Sequence, residues 1–414
     1  MPRISDPFRR EQTAIATLFF LLGFQYATWA SRLPAIAVRL HITTVGIGIL
    51  LLACGVGGAS SFPLVAFLIR KLGSRRVSCF SALFLALCLP LLILAPSYPV
   101  ALVLMYGNGV AVACLDVAMN AQGAALEAKY QRTAMGRLHA TFSAGSLCAA
   151  LLASGVTRLT PGLWPHFSIA TVIVVLLVVY SGPRLLPADP EPPQRERRPL
   201  LVPSRGTVLL GVALALATVT EGAMNDWSAF YLKDVAGTTA AVAPLGIATF
   251  SVAMVLARVL SDGRRARWGD RRMVVAGSGL AAAGLTLALL LGGMAPALLG
   301  FACVGLGIAA VAPCVYVAAA GRGPNALTLV AAMGVTGMLA GPPVIGSIAD
   351  AASLSWGLGA VALAAVLVSV CAARIRWPVF REGSGQRDQE SVPDSGPAAG
   401  AVSTSPATDG LPWG

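Results

Sequence analysis

Apolar residues arrive along this chain in long runs rather than in alternation. Runs of roughly 20 residues, each long enough as a helix to cross a hydrocarbon layer of about 30 Å, recur almost end to end. They predict twelve spans at 13–36, 44–69, 77–95, 99–123, 138–158, 164–181, 207–232, 242–261, 273–292, 296–320, 326–349 and 354–373. The first run lacks a convincing small-residue cleavage site and is followed at once by further runs. It therefore reads as a retained helix rather than a signal peptide, with mature numbering from the first residue.

Polar punctuation divides the pattern. Residues 183–205, "PRLLPADPEPPQRERRPLLVPSR", are rich in proline and charge and interrupt the rhythm at its middle. The expected organisation is a six-helix half over 1–182, a cytoplasmic linker over 183–205, a second six-helix half over 206–382, and a disordered Gly/Ser/Pro-rich tail over 383–414 with little to bury. Landmarks repeat between the halves. Trp29 recurs as Trp227, Gly107 as Gly305 and Gly109 as Gly307, each pair 198 positions apart. With the central linker and the span count, this predicts a duplicated all-α membrane protein with two pseudo-symmetric six-helix halves.

Composition excludes a water-soluble domain. The chain is 56% hydrophobic and 12% charged, with mean hydropathy +0.76, against about 25% charge in ordinary soluble domains. The formal charge of +12 raises the question of nucleic acid, and the positions of the basic residues answer it. Of the 30 Lys and Arg, all but Arg32, Arg39, Arg158 and Lys233 fall at one side of the predicted spans. By the positive-inside rule that side is the cytoplasm, and both termini lie there. No nucleic-acid partner is needed. The eight cysteines and three histidines are dispersed without paired spacing. They read as small apolar and isolated residues, so no metal or other cofactor is expected. No nucleophile, base and oxyanion arrangement is visible, and an enzyme is not expected.

Against this background the acidic residues inside spans stand out. A carboxylate at mid-helix costs about 2.5–3.5 kcal/mol on insertion scales, so it must face a cavity or a partner. Asp116 shares a stripe with Gly109, Val112, Asn120, Gly123 and Glu127 at spacings of three and four, and that stripe is expected to look inward. Counting from Pro99 places Asp116 roughly 25 Å down the helix, in its cytoplasmic third. In the seventh span Glu221 shares a face with Thr218, Asn225 and Ser228, while Asp226 lies further toward the outside. The first span carries Gln25, Thr28, Trp29 and Arg32 on one stripe. Two readings of Arg32 are open: a pair with Asp226 that closes the outer side, or snorkelling to outer headgroups. The eleventh span, "GVTGMLAGPPVIGSIAD", reads as a hinge or a packing seam.

The loops after the second and eighth spans, "AFLIRKLGSRR" and "RVLSDGRRARWGDRR", are both basic and glycine-containing. Here the chain resembles the major facilitator superfamily, whose signature in these loops is Gly-x-x-x-Asp-Arg-x-Gly-Arg-Arg. Gly73, Arg75, Arg76, Gly269, Arg271 and Arg272 fit. Ala66 stands for the first glycine, Arg70 for the aspartate, and Asp262 lies one turn early, close to Arg258 by helical spacing. The resemblance implies an inner-gate role for Arg258 and Asp262; ordinary topology-setting charge is the other reading. "LDVAMNAQGAALE" followed by "MGRLHATFSAGSL" is similar to the fucose-permease type of proton symporters through Asp116, Asn120, Arg137, Phe142 and Gly145, and Glu221 and Trp227 fit that group's spacing. By that resemblance proton coupling falls on Asp116, while Gln25 stands where the group carries an acidic residue in its first span.

A carboxyl alternating between a dry and a wet environment can load and release a proton. The reading is thus a secondary active transporter in a bacterial plasma membrane, a monomer that rocks two halves around a central cavity. Asp116 and Glu221 are the expected proton-coupling residues. Gln25, Trp29, Asn120, Asn225 and Trp227 are the expected solute contacts, and Arg32, Asp226, Arg137, Arg258 and Asp262 the expected gates. Either tryptophan could instead be core packing. Proton symport of a small polar organic solute, sugar-like or ring-bearing, leads; proton-driven export and a non-transporting sensor or scaffold remain as alternatives.

Overall fold

The computed structural model describes residues 6–187 and 203–377, except the side chains at 261–264, 266 and 324. The middle of the expected linker and the expected tail over 383–414 lie outside the described residues. The described residues form α1 (Pro7–Ala30), α2 (Leu33–Leu40), α3 (Thr44–Ser60), α4 (Phe62–Leu72), α5 (Ser74–Leu94), α6 (Tyr98–Tyr130), α7 (Met135–Leu159), α8 (Leu163–Ser181), α9 (Arg205–Phe230), α10 (Leu245–Leu291), α11 (Met294–Ile308), α12 (Val311–Ala320), α13 (Pro324–Ala351) and α14 (Leu354–Arg374). No strand occurs among them. Helices suit hydrocarbon because each satisfies its own backbone polar groups.

Ten described helical stretches are long and apolar enough to cross a membrane; α2 and α3, bent by 111°, pass that test only as a pair, and Leu245–Leu260 is a shorter apolar helix. These account for the twelve expected spans, with three departures at their ends and breaks. The first span stops at Ala30, and α2 turns away with Pro34 in its first turn. The second span breaks at Ser61, beside Pro63, and the tenth at Ala309 and Ala310, ahead of Pro313. Proline lacks the N–H a helix needs and crowds the preceding turn, which accounts for both breaks. Pro342 and Pro343 leave α13 continuous.

The duplication is visible in backbone conformation. Gly73 (φ 79, ψ 155) and Gly269 (φ 75, ψ 155) hold the same left-handed turn between consecutive spans, a conformation glycine adopts without Cβ strain. Arg75 donates to the Gly182 carbonyl at the end of α8, and Arg271 to the Ala373 carbonyl near the end of α14. Each guanidinium thus meets the negative end of a helix dipole. A Cβ on Gly109 would run into the Cys54 carbonyl, and one on Gly305 into the Phe250 carbonyl. Gly73 and Gly269, Arg75 and Arg271, Gly109 and Gly305, and Cys54 and Phe250 are each 196 positions apart, so the 198-residue matches of Trp29 with Trp227, Gly107 with Gly305 and Gly109 with Gly307 are out of register by two.

Large apolar side chains face outward, among them Leu290 (79% exposed) and Val103 (72%), the surface that lipid would cover. The halves join chiefly through α3 with α13 and α7 with α10, while α1 and α2 touch α9. Close approach of α3 to α13 depends on two glycines: a Cβ on Gly48 would lie 2.9 Å from the Pro342 carbonyl oxygen, and one on Gly346 2.7 Å from that of Thr44. This seam lies near the end opposite the basic loops, the far end. Of the two readings of the eleventh span, the packing seam is the one seen. α4 packs mainly on its own half, and so does α12, and α6 and α12 do not pack on each other; with the far end joined, the gap between them is a cleft toward the basic end.

Candidate functional site

Asp116 projects from α6 as an exposed side chain within electrostatic reach of the Tyr316 phenol on α12 of the other half. Tyr316 is itself exposed, so acid and phenol stand on opposite sides of the cleft. The Asn120 side-chain amide, one turn on, donates to the Asp116 carbonyl at 2.8 Å and to its carboxylate at 3.2 Å. Glu127, on the same stripe, accepts from the backbone N–H groups of Ala134 and Met135 at 2.5 and 2.9 Å. It caps the start of α7, where a carboxylate also suits the helix dipole.

A second cluster joins the halves at mid-depth. Arg258 on α10 donates to Glu221 on α9 at 3.2 Å and to the Ser143 hydroxyl on α7 at 2.8 Å. His139, one turn before Ser143, senses the charges of both Arg258 and Glu221. The ion pair is partly wet, with side chains 25% and 31% exposed. Asn225 donates to the Glu221 carbonyl at 3.1 Å, so its amide is engaged by its own helix. The Asp262 side chain lies outside the described residues. In the same loop, Arg265 and Asp270 form a two-contact ion pair at 2.9 and 3.2 Å.

Toward the far end, Asp226 is buried and accepts from the Tyr26 hydroxyl at 2.5 Å. This bond crosses from α9 to α1. The expected Arg32–Asp226 pair is therefore not formed, and snorkelling does not describe Arg32 either. Arg32 is buried, donates to Thr157 and to the Pro161 carbonyl, and ties the end of α1 to the α7–α8 connection within its own half. Its guanidinium is spent on acceptors that the α7–α8 turn would otherwise leave unpaired.

Three expected solute contacts are turned away from the cleft. Gln25 is fully buried and donates to Asn108 on α6 at 2.9 Å. Trp29 and Gln25 line a cavity of only about 10 Å³ together with Cys88 and Leu92 of α5. Trp227 is fully buried against Phe230. Both indoles are core packing in this conformation. Arg137 is exposed at the start of α7. Tyr26, Ser143, His139 and Tyr316 were missed from the sequence. Tyr26 had a signal, since a phenol within a span needs a hydrogen-bond partner; the others depend on which helices meet across the halves. Among the described residues no group of three or more His, Cys, Asp or Glu side chains is placed to hold a metal ion.

The broken, duplicated helical architecture around a cleft with facing polar groups defines a membrane transporter of the two-half type. Residues 14–327 match the Major Facilitator Superfamily model, and the chain belongs to that family. It is 32% identical over 375 residues to an uncharacterised MFS-type transporter of Yersinia pestis, covering 89% of this chain and 96% of that one. Among solved structures it resembles the nucleoside transporter NupG (TM-score 0.67, 14% identity, 87% and 98% coverage). It also resembles the E. coli fucose:proton symporter FucP, in a variant form (TM-score 0.61, 16% identity, 89% and 98% coverage). At these identities the two structural likenesses speak for the fold.

Proposed function

We propose that this chain is a proton-coupled symporter of a small polar organic solute, working by alternating access, with its basic end in the cytoplasm of a bacterial cell. The observation that carries the reading is Asp116: an acidic side chain within a span, held by Asn120 and facing the cleft rather than locked in an ion bridge. Closure of the cleft would dry this carboxylate and favour its protonated form, and reopening would favour release. Glu221 would work beside it, because Arg258 links that carboxylate to Ser143 in the other half. A change of charge at Glu221 therefore alters a contact that the rocking motion must break. The fucose:proton symporter among the structural neighbours supports the same reading by analogy.

The test has two stages. Purified protein is screened by thermal shift against sugars, nucleosides and small acids at two pH values, since a bound solute stabilises the fold. A stabilising solute is then supplied to proteoliposomes under a pH gradient. Acid outside should drive its accumulation, and Asp116→Asn should abolish that accumulation while leaving solute exchange at equal pH. Expulsion of the solute under the same gradient would replace symport by export. A gradient without effect on wild type would remove proton coupling altogether.

A further inference from the structure

At the basic end, the first turns of α1 and the α6–α7 connection enclose an open basin of about 850 Å³. Arg9, Arg132 and Arg137 line it, together with Asp6, Gln12, Gln131 and Thr133. The acidic groups close by are already committed. Glu11 pairs with Lys129 at 2.8 Å, Glu127 caps α7, and Asp6 accepts from the Phe8 N–H at 3.0 Å and from Arg132 at 3.4 Å. The guanidinium groups of Arg9 and Arg137 face the basin without a hydrogen bond or ion pair among the described residues.

Other arginines at this end behave differently. Arg75, Arg271 and Arg322 each donate to a carbonyl, of Gly182, Ala373 and Gly206 respectively. Charge that only sets topology has no reason to converge on one concavity, and Asp6 offsets only Arg132, so the like charges of Arg9 and Arg137 repel unless a further anion joins them. The third arginine is braced: the Arg132 guanidinium lies 5.2 Å from the centre of the Phe8 ring, a cation–π contact. Gln131 holds the turn in a left-handed conformation (φ 52).

We propose that this basin binds a negatively charged phosphate group, supplied by a lipid headgroup or by a dissolved phosphate. Planar guanidinium forks match phosphate oxygens in pairs, and side-chain amides and a hydroxyl around them supply further donors. The volume accommodates a group larger than phosphate alone. The site is separate from Asp116 and Glu221 and does not depend on the transport reading.

The experiment uses the purified full-length chain in two arms. In uncharged detergent, inorganic phosphate is titrated against chloride at constant ionic strength, and the melting temperature is followed. In nanodiscs, phosphatidylglycerol in phosphatidylcholine is compared with phosphatidylcholine alone. Wild type should be stabilised in at least one arm; detergent alone assigns a dissolved phosphate, nanodiscs alone a lipid headgroup. Arg9→Gln with Arg137→Gln should raise the half-saturating concentration at least about tenfold, the loss of charge-assisted contacts, and Arg76→Gln should not. If the double variant does not fold, Arg9→Lys with Arg137→Lys keeps the charge and should weaken binding several-fold through loss of the fork. The proposal is overturned if wild type prefers neither phosphate to chloride nor phosphatidylglycerol to phosphatidylcholine. It is overturned equally if the arginine variants respond as wild type does.

Discussion

The far end of the molecule and the cleft at the basic end use similar residues under opposite conditions. At the far end Asp226 is buried, the Tyr26 hydroxyl that donates to it comes from the opposite half, and α3 meets α13 through glycines. At the cleft Asp116 is exposed and its amide partner sits on its own helix. A buried cross-half bond is strong because its partner cannot be replaced by water. A wet carboxylate held from its own side can change partners without moving a helix. The first arrangement suits a closure and the second a group that must exchange protons.

The largest expected effect lies in the glycine seam. Gly48→Leu would force side-chain atoms against the Pro342 carbonyl and Pro343; overpacking of this kind costs about 1–3 kcal/mol. In the full chain that cost falls on the state closed at the far end. Spin labels introduced by Val38→Cys and Val235→Cys, at exposed far-end positions of the two halves, should report a longer distance population. An unchanged distance distribution with unchanged thermal stability would show that α13 yields at this point.

Next is Tyr26→Phe, which deletes the donor and leaves Asp226 buried without its partner. Stranding a buried polar group costs about 1–3 kcal/mol, more when it is charged. The same label pair should shift toward the open form, and Asp226→Leu combined with Tyr26→Phe should shift it back, since no buried polar group is then stranded. Equal shifts in the single and double variants would mean that the hydroxyl acts otherwise than through its bond to Asp226, since Phe keeps the ring that meets Trp29.

This contrast also separates what the sequence makes legible from what it hides. Asp116 is legible because a charge inside an apolar run has few physical excuses. The helices and the duplication follow from periodicity and punctuation. The stripe of Gln25, Trp29 and Arg32 misled, although its polarity was read correctly. Polar residues on a membrane helix mark its protein-facing side, yet α1 has two such sides. Gln25 meets Asn108, Trp29 packs near Cys88, and Arg32 meets Thr157, all within one half. Tyr26, on another face, meets the opposite half. Helical spacing alone cannot rank those faces, because the choice depends on where α6 and α9 carry their acceptors. Gln122 shows the same limit: it is fully buried and bonds Ser74 at 2.7 Å and the backbone of Leu186, contacts far apart in the chain.

The smallest effect is expected at the partly wet link between Glu221, Arg258 and Ser143. Ion pairs with this much exposure contribute about 0–1 kcal/mol, and a hydroxyl acceptor on a mobile guanidinium adds a similar amount at most. Ser143→Ala should therefore leave thermal stability within about one degree, because water can replace the hydroxyl for Arg258. Its effect should appear instead in the balance between closed and open far ends, as a small displacement of the Val38→Cys and Val235→Cys distance populations that shrinks with added salt. Glu221→Gln should displace the same populations further, since Arg258 would then lose the charge of Glu221 while keeping Ser143. If Ser143→Ala moves the populations as far as Tyr26→Phe does, the mid-depth link is as dry as the far-end closure, and the distinction between the two regions fails.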